Sequence, residues 1–297
     1  MNNALFTPST RRLLAALPPS VVRRVMYRRR YGRWGDLSRP TRFTEHLNRR
    51  MLVDRSEELA QACDKTAMKT LASAACPELE VAPTLWSGTD IRRLDLGFLP
   101  EQWVIKPNHA SSMVHFGNRG TTHRELRRAT RGWLHSYDRT AVGEWGYSRA
   151  ERMLMVEPRI GGGEPLADYK IYVFHGRAKM LHVDVGRFSD RFGEQFFTPQ
   201  WEPLAIANGA PLPSSSVLEA PESLEIMISC AERLGADFEF MRVDFYEADG
   251  VAWFGELTPY PSGGMDPFEP DAVDLQMGAW WRGEKLEEPA LVVGCSG

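Results

Sequence analysis

Two hairpin signals and a set of amphipathic helix patterns make this chain an α+β protein with antiparallel sheets. In the first hairpin, Asp168 to Arg187, runs of β-branched and aromatic residues flank His175-Gly176. In the second, Met241 to Thr258, similar runs flank Ala248-Asp249-Gly250, whose Asp-Gly is a turn signal. The helix patterns place apolar residues three and four apart behind recognisable start signals. With 297 residues, 43% of them hydrophobic and 25% charged, the chain can bury a sizeable core in one large or two closely packed domains.

The formal charge of -3 gives no overall attraction to nucleic acid or to an anionic membrane. Cys63, Cys76, Cys230 and Cys295 show neither paired nor zinc-type spacing, which favours reduced thiols and a cytoplasmic protein. The start, MNNALFTPSTRR, lacks the order of a signal peptide, and no apolar run approaches the ~18 residues that a membrane span requires.

Taken in order, residues 1–50 are rich in arginine (Arg11, Arg12, Arg23, Arg24, Arg28, Arg29, Arg30, Arg33, Arg39, Arg42, Arg49, Arg50) and hold only Asp36 and Glu45 against it. Such a block either steers an anionic substrate, polymer or lipid headgroup or forms solvated helix faces. Val21, Val22, Val25, Met26 and Tyr27 mark the buried side of a short helix. Ser56 opens a second helical pattern, with Leu59, Cys63, Ala67 and Leu71 on one stripe and Lys65 and Lys69 riding on it. Trp103 to Lys106 is a short strand that runs into NHASSMVHFGNRG, a small-residue loop suited to an anion-binding backbone nest beside a lysine. No P-loop pattern occurs. Thr122 and Glu125 form a capping box for a helix carrying Leu126, Ala129, Trp133 and Leu134. Arg152 to Glu157 is a strand closed by Pro158 and by Gly161-Gly162-Gly163, the best hinge or boundary signal in the chain. Residues 191–220 dissolve into Pro, Ser and Gly. Pro221 then begins a helix with Leu224, Met227, Ile228, Ala231 and Leu234 in register, stopped by Gly235.

A loop centred on Gly250 would set Arg242 opposite Thr258 and Asp244 opposite Glu256. Alternation then puts those four on one face, with Met241, Val243, Phe245, Trp253 and Leu257 on the other. Facing carboxylates repel unless they share a metal or a proton, so the pair points to a divalent cation or else to a solvated outer face.

The succession of these pieces resembles the ATP-grasp fold, in which two α+β lobes with antiparallel sheets clamp ATP. The closer resemblance is to the TupA-like ATP-grasp family, associated with teichuronopeptide and other surface-polysaccharide synthesis. It is carried by LSRPTRFTEHLNRRM (37–51), ACDKTAMK (62–69), VIKPNHASSMVH (104–115), DYKIYVFHGRAKMLHVDVGRF (168–188) and FMRVDFYEADGVAWFGELTPYPSGG (240–264), and covers most of residues 30–280. The expected division is a helical, arginine-rich, substrate-side region over 1–100, a small lobe with phosphate loop and hinge strand over 101–160, and a metal-holding lobe over 161–297.

The resemblance implies a site. Asp244 and Glu256 would hold two Mg²⁺, or Mn²⁺ in their place, with Thr258 where many relatives have an asparagine ligand. Arg242 would neutralise charge on the transferring phosphoryl group. Lys106 would grip the phosphates under a loop containing Ser111 and Ser112, with Lys65 or Lys69 as a second phosphate ligand. Glu157 and Asp168 would take the adenine-hinge and ribose roles, and Lys170 and Arg187, joined by Arg191, would line the acceptor side. The chain departs from its relatives where Ala110 and Ser112 replace loop glycines. Either the backbone there is ordinary or the grip on ATP is altered.

The implied activity is ATP-dependent carboxylate–amine ligation through an acylphosphate, joining an amino acid to a sugar, uronate or peptide-like carboxylate. A kinase acting on a polyol or sugar hydroxyl and a non-enzymatic module for anionic glycan or lipid are the alternatives. A peripheral contact between the arginine-rich start and an anionic surface stays open.

Overall fold

A computed structural model describes residues 17–111, 113–135, 143–163, 165–187, 192–209 and 218–284. The chain begins with helices α1 (Pro19–Tyr31), α2 (Phe43–Val53), α3 (Glu57–Cys63) and α4 (Lys65–Ala75). Strands β1 (Trp86–Gly88), β2 (Gln102–Pro107) and β3 (His115–Asn118) follow, then the short helices α5 (His123–Ala129) and α6 (Trp145–Arg149) and strand β4 (Leu154–Pro158). The second half holds β5 (Asp168–Phe174), β6 (Arg177–Val185), β7 (Gly193–Phe197), β8 (Pro203–Leu204), α7 (Leu224–Leu234), β9 (Phe240–Ala248), β10 (Val251–Thr258) and α8 (Ala272–Trp281). These strands form two antiparallel sheets, ordered β1-β4-β2-β3 and β10-β9-β5-β6-β7-β8. No described helix is long and apolar enough to cross a membrane.

The six-stranded sheet buries one face throughout and the other only in part. Ile171, Val173, Leu181, Val183, Met241, Val243 and Phe245 pack on one side against Met68 and Ala72 of α4 and Met227, Cys230 and Ala231 of α7. On the opposite side Tyr172, Phe174, Met180 and Phe240 meet Phe43, Leu47 and Met51 of α2 and Met277 and Trp281 of α8. Phe43 is the hub, in ring contact with Tyr172, Phe174, Phe240, Phe268 and Trp281. Further along the same strands that face turns polar, which leaves room for a site. The four-stranded sheet buries Trp103, Ile105, Leu154 and Val156 against Leu126 and Ile91.

Several local expectations change. The single helix expected from Ser56 is two, because the Asp64 side chain accepts from the N–H groups of Thr66 and Ala67 and starts α4 afresh. Ser56 stands at the head of α3 without a side-chain cap bond, and Leu71, expected on the buried stripe, is exposed. Part of the stretch that looked patternless is strand, since Gly193–Phe197 completes a ladder with β6. Of the arginine-rich start, Arg11 and Arg12 lie outside the described residues. Several of the described arginines are tied to their own chain. Arg23 is fully buried and donates to Asn48 Oδ1 at 2.9 Å and to the Gly263 carbonyl at 2.5 Å. Arg30 donates to the Met265 carbonyl and Arg50 to the Phe240 carbonyl, while Arg33 and Arg42 pair with Asp271. These guanidinium groups tie the N-terminal helical region to the turn after β10, the start of β9 and the head of α8, which is a structural use of the charge.

His46 on α2 stacks on Trp281, with centroids 5.1 Å apart, and its Nε2 is buried without a hydrogen bond. Burial first, then the Arg282, Arg50 and Arg49 charges, lower its pKa to about 4 from 6.5; Glu284 opposes them weakly. The unfolded chain therefore binds a proton across that interval and the folded chain does not. The contribution is complete above the unfolded pKa and is lost as pH falls toward about 4. Replacing His46 with Phe keeps the stack and is expected to flatten the acid side of the stability profile. Urea midpoints at about pH 7 and about pH 5 check this, and an unchanged pH difference would refute it.

Candidate active site

The polar half of the six-stranded face is assembled by register. Lys170 lies opposite both Asp244 and His182, Asp168 opposite Asp184, and Asp184 opposite Glu194. Glu256 lies opposite Asp244 and Thr258 opposite Arg242, as the alternation in the hairpin implies. The route to that pairing differs from the expected one. The turn is the two-residue Asp249-Gly250, with φ of 54° and 73°, so Ala248 pairs with Val251. A bulge between Phe254 and Glu256 then adds one residue and restores the pairing of Asp244 with Glu256. Gly255 permits this approach, since a Cβ there would lie 2.8 Å from the Asp244 carbonyl oxygen. Trp253, expected on the core face, pairs with Tyr246 and shares its side, while Ala252 and Phe254 fill the core instead. Glu80 covers the outer edge of β10, donating to the Ala252 carbonyl and accepting from Phe254 N–H.

Arg242 forks Asp244, with Nε 2.7 Å from Oδ1 and Nη2 2.6 Å from Oδ2. The Thr258 hydroxyl donates to Glu256 Oε1 at 3.3 Å. Burial and the facing Glu256 push the Asp244 carboxyl up while Arg242 opposes them. Burial also pushes Glu256 up, but Lys65, Arg242, Arg187 and Lys106 together hold it below the ordinary carboxylate value. The opposed acids thus titrate apart, Glu256 being the more readily ionised.

The four-stranded sheet and α4 supply the cations across from them. Glu157 on β4 stands opposite Val104, so Lys106 is its diagonal neighbour on the same face. Its two oxygens are each 2.6 Å from an ammonium, Oε1 from Lys69 and Oε2 from Lys106. Lys65, the first residue of α4, donates to the Ala110 carbonyl at 2.9 Å and stands 3.8 Å from Glu256 Oε2. One lysine thus ties the loop after β2 to the end of β10. Ala110 is buried and is absent from the residues with positive φ, so the loop backbone there is ordinary. Ser111 is half-buried in that loop, and Ser112 and Arg191 lie outside the described residues.

On the far side of Lys170, Arg187 Nη1 pairs with Asp168 Oδ2 at 2.5 Å, and Lys170 contacts Asp184. The structure therefore brings Asp168, Lys170, Arg187, Arg242, Asp244, Glu256 and Thr258 of the six-stranded sheet region together with Lys106 and Glu157 of the four-stranded sheet and Lys65 and Lys69 of α4. Sequence reasoning missed His182 and Glu194. His182 was legible as the residue two before Asp184 on the same strand face, but Glu194 depends on a register set by the connection between β6 and β7. A cleft of about 910 Å³, lined by Arg124, Arg127, Arg128 and Arg131 among others, shares no residue with this cluster.

Residues 45–282 match the family described as TupA-like ATPgrasp. Among solved structures, D-alanine–D-alanine ligase from Helicobacter pylori is similar at 13% identity, with 77% of this chain and 60% of that one covered and a TM-score of 0.43. L-amino acid ligase from Bacillus licheniformis is similar at 15% identity, covering 68% and 41%, with a TM-score of 0.41. D-cycloserine synthetase DcsG is similar at 14% identity, covering 75% and 70%, with a TM-score of 0.39. No curated protein sequence matches the chain.

Proposed function

The chain belongs to the TupA-like ATP-grasp family, and from that premise we propose that it is an ADP-forming carboxylate–amine ligase. The observation that carries the reading is the opposed pair Asp244 and Glu256, with Thr258 beside it, across from Lys65 and Lys106. All three donors are oxygens, the type that Mg²⁺ takes, and one or two carboxylates usually suffice when nucleotide phosphates complete the shell. Bound there, Mg²⁺ would neutralise developing charge on the phosphate oxygens.

Arg242 has two tasks in this reading. It orients Asp244 through the fork and places positive charge on the side where the phosphoryl group transfers. Glu157 holds Lys69 and Lys106 toward the polyphosphate, a positioning task in place of an adenine hinge. Lys65 fixes the phosphate loop through the Ala110 carbonyl. Asp168 keeps Arg187 in place, and Lys170 and Arg187 face the acceptor. A carboxylate oxygen of the acid attacks the γ-phosphorus as the bond to ADP breaks. The amine nitrogen then attacks the acyl carbon, phosphate departs with its bridging oxygen, and the amine gives up a proton. Positioning and charge neutralisation suffice for the first step, so no protein nucleophile is required.

The acid is a sugar, uronate or peptide-like carboxylate of a surface-glycan or natural-product precursor, and the amine is an amino acid. The non-enzymatic alternative rested on the arginine-rich start. The internal use of Arg23, Arg30, Arg33, Arg42 and Arg50 weakens it. The test is a screen of acids and amines with ATP and Mg²⁺, reading the nucleotide product. ADP and phosphate are expected only when both co-substrates are present. AMP with pyrophosphate would exclude the acylphosphate route, and a stable phosphorylated product formed without amine would make the protein a polyol or sugar kinase.

A further inference from the structure

Two strands away from the opposed acids, the same sheet face carries a second convergence of ligand atoms. His182 and Asp184 on β6 and Glu194 on β7 are buried, with their donor atoms all within 4.8 Å of one another. His182 Nε2 is 2.9 Å from Asp184 Oδ1 and 3.2 Å from Glu194 Oε2. A ring nitrogen carries at most one proton, and the hydrogen bond goes to Glu194. Asp184 Oδ1 is the nearer oxygen to that nitrogen, so a single N–H stands between two buried carboxylate oxygens and cannot fully satisfy both. Two buried carboxylate oxygens sharing one proton call for an explanation.

The spacing supplies one. Ligands about 2.1 Å from a transition ion stand roughly 3.0 Å apart in octahedral and roughly 3.4 Å apart in tetrahedral geometry. The two distances at His182 fall about that range. The second oxygen of each carboxylate is also held, while His182 Nδ1 is buried without a hydrogen bond. Lys170 contacts Asp184 Oδ2, the Asn208 N–H donates to Glu194 Oε1 at 3.1 Å, and the imidazole stacks on Phe196 with centroids 4.3 Å apart. Fixed outer partners of this kind orient ligands toward an ion, and a lysine on the second oxygen of a ligating carboxylate is such a partner. The two carboxylates balance one divalent charge, with Lys170 outside.

We propose that His182, Asp184 and Glu194 form a binding site for a divalent transition ion, Mn²⁺ or Zn²⁺, separate from the opposed acids at Asp244 and Glu256. One imidazole and two carboxylates suit such ions better than Mg²⁺ or Ca²⁺, which prefer oxygen alone. Three protein ligands leave coordination positions for water or for a polar group of a second substrate.

The test uses the full chain, stripped of metal and without nucleotide. MnCl₂ is titrated with the free ion followed by electron paramagnetic resonance, and ZnCl₂ by calorimetry. Wild type is expected to bind one ion, and an Asp244→Asn, Glu256→Gln double variant to bind it equally well. His182→Ala and the isosteric Glu194→Gln are expected to weaken it more than ~100-fold, beyond the usual effect of an outer partner. Thermal melts show whether each variant is folded, and ion-dependent stabilisation of wild type should vanish in Glu194→Gln. No binding by wild type without nucleotide would mean a hydrogen-bonded trio only, and would overturn the proposal. So would binding lost in the double variant, or binding kept in folded His182→Ala and Glu194→Gln. None of these outcomes depends on whether the chain releases ADP.

Discussion

Glu256→Gln is expected to lower ADP release by at least ~10²-fold in kcat/KM, about 2.7 kcal/mol of transition-state stabilisation. Glutamine keeps the shape and retains an oxygen to accept from the Thr258 hydroxyl, so the change removes one charge and little else. That charge is opposed by Asp244 and attracted by Lys65, Arg242, Arg187 and Lys106. The cations outweigh burial and hold Glu256 below the ordinary carboxylate value, so its charge contributes to folding and neutralising it should cost part of the stability at neutral pH without abolishing the cooperative melt. With nucleotide bound, the lost carboxylate would no longer help a cation offset phosphate charge, so the larger loss should fall on activity. The measurement pairs ADP release with a thermal melt. Activity within threefold of wild type would show that Glu256 holds no catalytic cation. A melt that collapsed along with activity would show that the pair is structural.

The polar half of the sheet face was legible because alternation is a strong constraint. Alternation sets Arg242 with Asp244 on one side of β9 and Glu256 with Thr258 on one side of β10, and an even pairing register makes the two sides coincide. The turn and the bulge were not legible, and they offset one another. A two-residue Asp-Gly turn shifts the pairing by one and the bulge at Gly255 shifts it back, leaving only the segment between them, Trp253 included, on the unexpected face. From periodicity alone Lys65 and Lys69 read only as polar residues riding on one continuous helix, because the break at Asp64, which re-aims α4, is a side-chain cap that apolar periodicity does not register. The arginine-rich start read as charge, although its buried carbonyl partners at Phe240, Gly263 and Met265 lie some two hundred residues away. Glu194 was missed for the same reason. Its neighbours on the sheet are fixed by a connection whose length carries no pattern.

Gly255→Val tests the bulge directly, and its expected effect is large on both stability and activity. Uninterrupted pairing from the turn would set residue 255 opposite Asp244 and Glu256 opposite Val243, on the face that packs against Met68 and Leu257. The bulge prevents this, and it tolerates no Cβ at 255 beside the Asp244 carbonyl oxygen. Valine must therefore either strain the bulge, at ~1–3 kcal/mol, or abandon it and turn a carboxylate into the core, which costs several kcal/mol more and frays the end of β10. Both routes separate Glu256 from Asp244, so ADP release should fall with the urea midpoint. Deleting Gly255 should do neither. Glu256 would follow Phe254 directly and meet Asp244 by plain alternation, with Leu257 and Thr258 keeping their partners. A deletion variant that keeps its activity beside a valine variant that loses it would assign the phase of the site to this one residue. An active, unshifted Gly255→Val protein would mean that the strand finds its register by other means, with the apolar side chains of β10 as the remaining determinant.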